Sequence, residues 1–170
     1  MNIEIRTARP EDAAAACNVL CRSIFECCVE DHHNDQAILA AWLGNKTPAT
    51  VESWFLSRAN FSVVALAGGA VVGVAIMTRP GKIALCYVAP EARFIGAGKA
   101  LLQALEAQAR EWGIRSIQVM STITAKPFYL RNGFVCGDTA KAVFGIETTI
   151  LSKKLSDDGY PRKVPCGCRG

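Results

Sequence analysis

The chain is short of charge. Charged residues make up 20% of its 170 positions, against 51% hydrophobic residues. That composition excludes a disordered chain, which combines high charge with few apolar side chains. It suits one soluble domain with a substantial core, since a second domain would leave too little chain for each. Internal repeats and low-complexity linkers are missing. Net charge is small, +4, which gives no argument for nucleic acid by itself. An apolar leader is missing as well: MNIEIRTARPED is polar and charged, and the expectation is a cytoplasmic protein. One stretch lacks charge altogether. Residues 59–78, ANFSVVALAGGAVVGVAIMT, run 20 positions without an ionisable side chain, about the length of a membrane helix. Gly68-Gly69 stands at the centre, between valine-rich runs. A Gly-Gly between β-branched segments reads as a tight hairpin turn, so no membrane partner is expected.

The charge that is present is unevenly placed. Residues 1–45 carry seven acids and three bases, a net of −4, which leaves +8 for the remainder. A basic C-terminal part suits an anionic ligand, and an acidic N-terminal part suits a cationic one. Cysteine is abundant, with eight. A disulfide scaffold compensates for a small core in a short secreted chain, and this chain is neither. Cys17 and Cys21 sit four apart on an expected helix and read as small core residues. Cys27, Cys28, His32 and His33 lie close together, but their spacing matches no standard zinc finger, and no metal is expected.

Ile3–Ala8 alternates and reads as a strand. Pro10-Glu11-Asp12 then opens a helix running to about Val29, with proline and acids suited to a first turn. EDHHND breaks it, and DQAILAAWLGN forms a shorter helix ending near Gly44. Two strands form the hairpin through Gly68-Gly69, and Pro80-Gly81 turns the chain into a third, Lys82–Val88. A long helix ends at Gly113, a strand covers Ile114–Ser121, a short helix covers TAKPFYLRN, and FVC with AVFGIETTILSKKL closes the sheet as a hairpin. The order is β-α-α-β-β-β-α-β-α-β-β, an α/β fold with a mixed sheet. Residues 82–121 form a right-handed crossover between parallel strands. Residues 1–155 are expected as one domain and 156–170 as a flexible tail containing Cys166 and Cys168.

Between the third strand and the long helix lies Arg93-Phe94-Ile95-Gly96-Ala97-Gly98-Lys99. Glycines before a helix suit a phosphate, because missing Cβ atoms let the backbone approach and the helix N-terminus attracts negative charge. A nucleoside-triphosphate loop of the G-x-x-x-x-G-K-[ST] type fails twice: Arg93 stands at the first glycine and Ala100 at the hydroxyl. A dinucleotide fingerprint fails at Leu101, where its third glycine belongs. The pattern R/Q-x-x-G-x-G/A fits at every fixed position. Its successive N–H groups suit a pyrophosphate. Lys99, in the first helical turn, is unfavourable for the helix dipole unless an anion binds there.

About 30 residues later comes Ala125-Lys126-Pro127-Phe128-Tyr129-Leu130-Arg131-Asn132-Gly133-Phe134. Together, in this order, the two motifs resemble the GNAT superfamily of acetyl-CoA-dependent N-acetyltransferases, and the likeness covers Ile3 to about Leu155. It implies a mainly antiparallel central sheet with helices on both faces, with acetyl-CoA as cosubstrate and no metal. It further implies that residues 93–99 hold the coenzyme A pyrophosphate. Main-chain groups around Tyr87 and Val88 would align the pantetheine arm and polarise the thioester carbonyl. Thr122 stands where relatives often carry Asn or Ser against that arm. Tyr129 matches the tyrosine that protonates the leaving thiolate; a phenol near pKa 10 keeps its proton at neutral pH.

The acceptor is expected to be an amine of a small molecule or protein, held between the N-terminal helices, the Trp42 region and the sheet. Glu26, Glu30 and His32 are the candidate residues for it. A general base is not evident: KIALCYV and IRSIQVMS contain no acid. Glu26, Glu30, Asp31, His32 or His33 could serve, or desolvation of the amine could replace a base. Two other readings stay open, a catalytically silent acetyl-CoA-binding module and a toxin-like enzyme acetylating aminoacyl-tRNA. The absence of an Arg-rich aromatic patch argues against nucleic acid. The resemblance also leaves a homodimer through the late strands open.

Overall fold

The structure is a computed structural model and describes residues 2–137 and 141–156. Most of the expected tail, residues 157–170 with Cys166 and Cys168, lies outside the described residues. The strands are β1 (Ile3–Thr7), β2 (Asn60–Ala67), β3 (Ala70–Thr78), β4 (Lys82–Val88), β5 (Ser116–Thr122), β6 (Val135–Cys136), β7 (Lys141–Val143) and β8 (Ile146–Lys154). They form one sheet in the order β1-β2-β3-β4-β5-β8-β6, with β7 also paired to β8. β4 and β5 run parallel, and the other described pairings are antiparallel.

The helices are α1 (Ala13–Arg22), α2 (Val29–His32), α3 (Gln36–Leu43), α4 (Pro48–Leu56), α5 (Ala97–Glu111) and α6 (Lys126–Arg131). The uncharged stretch at 59–78 is the β2–β3 hairpin, with Gly68 and Gly69 at positive φ in its turn. Both of its faces are covered, so both sets of alternating side chains are apolar. Val63, Ala65, Ala75 and Met77 pack with Leu101, Leu102 and Leu105 of α5. Val64, Leu66 and Val74 pack with Ala16, Leu20 and Val51 from α1 and α4. Helices therefore lie on both faces of the sheet. Among the described residues no helix is long and apolar enough to cross a membrane.

Two features differ from the sequence reading. The helix expected to reach Val29 stops at Arg22 and passes into a π-helical turn, Ser23–Cys27. The break itself falls within EDHHND as expected, where His33 and Asn34 take left-handed φ values of 51° and 57°. Helix α4 is an additional element. Thr47 caps it by accepting from the Thr50 N–H, and Pro48 occupies its first turn, where the missing N–H costs nothing.

One irregularity shapes the centre of the sheet. Ile76 pairs with Leu85 and Met77 with Ile83, so Ala84 is an extra residue in β4. This β-bulge bends the strand. β4 and β5 pair at Lys82–Gln118 and Ile83–Val119, and then part. Beyond Ile83 the β5-facing edge of β4 is left without a strand partner.

Candidate active site

The parted strands frame a cleft of about 350 Å3. One wall is β4 from Ala84 to Val88, and the other is Val119–Thr122 of β5. The loop before α5 contributes Arg93, Phe94 and Gly96, the first turn of α5 contributes Gly98 and Lys99, and α6 contributes Phe128 and Tyr129. Ser23, Cys27 and Cys28 enter from the π-helical turn.

The loop leaves backbone open at the start of α5. Gly96 caps α5 with φ 92°, and no side chain caps the helix, so its first N–H groups are uncapped by side chains. Nothing lies within 4 Å of a Cβ placed on Gly96, which leaves the backbone accessible there. Phe94, also at positive φ (64°), is 88% exposed and lies under the Arg93 guanidinium, 4.8 Å from its ring centroid. Gly98 faces inward: a Cβ there would meet the Phe128 ring at 3.3 Å. Two cations, uncapped N–H groups and open backbone meet the requirements of a pyrophosphate. Ile95 is half-exposed and Ala97 is buried in the core, and neither side chain lines the cleft.

Tyr129 lies deep in the cleft, 3% exposed, between the rings of Phe128 and Phe134. Burial holds its phenol well above the usual value, and neighbouring Cys86 and Tyr87 push in the same direction. It is therefore protonated throughout the neutral range. Burial likewise raises the Tyr87 phenol, opposed by a hydrogen bond to Trp42, and pushes the Cys86 thiol up to about 12. Thr122 accepts from the Ala125 N–H at 3.1 Å and so closes the turn that leads into α6.

The acidic helix junction has other work. Asp31, 4% exposed, accepts from the Ile123 N–H at 2.7 Å, the Thr124 N–H at 3.3 Å and the Thr124 hydroxyl at 2.5 Å. It fastens α2 to the loop between β5 and α6. His32 is fully buried. Its Nδ1 accepts from the Asn34 N–H at 3.0 Å, so Nε2 carries the proton and faces the Ile24 and Phe25 carbonyls, each at 3.1 Å. His32 thus satisfies the carbonyls of the π-helical turn. Glu26 is exposed and paired with Arg22, which also holds Glu91 through two bonds of 3.0 and 2.9 Å. Glu30 is exposed. Glu26, Glu30 and His32 line neither this cleft nor the second one.

That second cleft, of about 380 Å3, was not legible in the sequence. It shares Ala84, Leu85, Tyr87, Met120 and Thr122 with the first, so the two join at the parted strands. Its walls come from α3, α4, β4 and the turn between β7 and β8. Among the described residues no group of three or more His, Cys, Asp or Glu is arranged to hold a metal.

A family model for the GNAT acetyltransferase domain matches residues 28–155, and the chain belongs to that family. A GCN5-related N-acetyltransferase from Rhodopseudomonas palustris superposes with a TM-score of 0.81 at 24% identity, covering 91% of this chain and 97% of that one. The PaiA N-acetyltransferase of Thermoplasma acidophilum, solved with coenzyme A, gives 0.79 at 20% identity over 91% and 99%. YncA of Salmonella typhimurium, solved with acetyl-CoA, gives 0.70 at 20% identity over 96% and 100%. No curated protein sequence matches significantly.

Proposed function

We propose that the protein is an N-acetyltransferase that moves an acetyl group from acetyl-CoA to an amine, with Tyr129 as the proton donor. The observation that carries this reading is that the buried Tyr129 lines the same cleft as the glycine loop and Lys99. Arg93, Lys99 and the backbone of residues 94–98 would hold the pyrophosphate. The unpaired edge of β4 at Tyr87 and Val88 would take up the pantetheine arm and donate to the thioester oxygen as charge develops on it. Acetyl-CoA supplies the activated acyl group. The amine nitrogen bonds to the acyl carbon as the C–S bond breaks, the amine releases a proton, and the Tyr129 hydroxyl gives its proton to the sulfur.

No carboxylate lines either cleft among the described residues, and the reading needs none. Apolar walls disfavour the charged ammonium, so the amine enters in its nucleophilic form. The test follows free thiol from acetyl-CoA with a panel of amines. Thiol release that depends on both an amine and the protein is expected. Tight coenzyme A binding without amine-dependent release would favour a silent binding module instead.

A further inference from the structure

The second cleft differs from what an acceptor site for cations requires. None of the described residues lining it is Asp or Glu. Its ionisable groups are Lys46 and Lys82, with Tyr87 at the junction between the clefts. Burial pushes the Lys46 ammonium below its ordinary value. The ammonium is held 5.1 Å from the Phe144 ring centroid and donates to Asn45 at 2.8 Å. Trp42, Trp54 and Phe144 supply flat apolar surface. The Phe144 wall is held in place by its turn: Phe144 and Gly145 have φ of 53° and 82°, and Gly145 packs against Ile38 of α3.

From this constellation we infer that the acceptor is a small amino acid-like molecule, carrying a carboxylate and an apolar or aromatic side chain beside the amine that is acetylated. The inference rests on the acetyl-transfer reading and narrows its acceptor. A polyamine or a lysine side chain would bring positive charge to a cleft that already holds two cations, with no acid to offset it. A carboxylate answers the lysines, and a ring answers the indoles. The volume is at the small end of ligand pockets and suits one such molecule. The lysines also favour the uncharged form of a nearby amine, because like charges disfavour protonation. The cleft would then supply by electrostatics what a general base supplies elsewhere. The product is the N-acetylated acid and free coenzyme A.

Calorimetric titration of L-tryptophan, tryptamine and spermidine into the protein saturated with coenzyme A tests this. The amino acid and tryptamine differ by the carboxylate alone. L-tryptophan is expected to bind at least about tenfold more tightly than tryptamine, the scale of one charge-assisted contact. Lys46→Met and Lys82→Met are expected to remove most of that difference by weakening L-tryptophan, with tryptamine bound as well as before or more tightly, and Lys46→Arg to keep it. Lys82 is exposed and Lys46 half-buried at the surface, so the fold tolerates these changes. Equal or tighter binding of tryptamine, tightest binding of spermidine, or no acceptor binding at all would overturn the inference while leaving the cofactor reading intact. Failure of coenzyme A to bind would sink both.

Discussion

Tyr129 and His32 show how far apart two equally attractive side chains fall once folded. Tyr129 lies between Phe128 and Phe134, each ring centroid 5.1 Å away, and no described residue hydrogen-bonds its hydroxyl. Tyr129→Phe keeps the packing and leaves nothing unpaired. The expected stability change is under about 1 kcal/mol, read from a urea midpoint at neutral pH. His32 is the opposite case. Its ring joins three backbone groups in the interior. His32→Leu strands the Ile24 and Phe25 carbonyls and the Asn34 N–H. It is expected to cost roughly 1–3 kcal/mol with the acceptor KM unchanged, because the side chain lines neither cleft. A raised KM at unaltered stability would restore His32 to the acceptor site. From sequence the two residues are told apart only by their motif: Tyr129 sits in a long pattern, whereas His32 had only a titratable ring and an acidic neighbourhood to recommend it.

At the scale of elements, local chemistry was legible and long-range chemistry was not. The hairpin at Gly68-Gly69, the strand ending before Pro90, the glycine loop and the helix around Tyr129 all carry turn and cap residues that declare themselves locally. Helix α4 carries local signals too, in Thr47-Pro48, but its nine residues make only a faint apolar face. The π-helical turn could not be read, because the side chain that meets its carbonyls is His32, which reaches back to residues 24 and 25. The second cleft was equally hidden, since it forms only when α3, α4, β4 and the β7–β8 turn meet. Asp31 is the sharpest instance. It joins residues some 90 positions away in sequence, tying α2 to the loop that carries Thr122–Ala125 into the site. Asp31→Ala leaves two N–H groups and a hydroxyl without their acceptor and is expected to destabilise by roughly 2–4 kcal/mol. Because that loop borders both clefts, kcat for thiol release should fall along with the melting temperature. Unchanged values of both would show the clamp to be dispensable.

The whole molecule concentrates buried weak acids around one cleft, and its stability should reveal that. Cys28 and Cys86 are each pushed by burial from 9.0 to about 12, and burial also raises Tyr87 and Tyr129 above 10.0. In the unfolded chain these groups lose their protons at ordinary values, while the folded chain keeps them. Above about pH 9 the unfolded state therefore binds fewer protons, and stability falls as pH rises. Each fully shifted group steepens the fall by at most about 1.4 kcal/mol per pH unit. Urea midpoints between pH 7 and 11 are expected to drop from pH 9 upward, with a shallower drop above pH 10 in Tyr129→Phe; a flat curve would contradict the burial. The same buried phenol is the centre of the proposed chemistry. The most direct test measures kcat for amine-dependent thiol release alongside coenzyme A affinity in the wild type and in Tyr129→Phe. The expected result is a loss of roughly 10²-fold or more in kcat with coenzyme A affinity preserved, the signature of a missing proton donor. An unchanged kcat would contradict the account and leave Tyr129 as no more than a ring in the core.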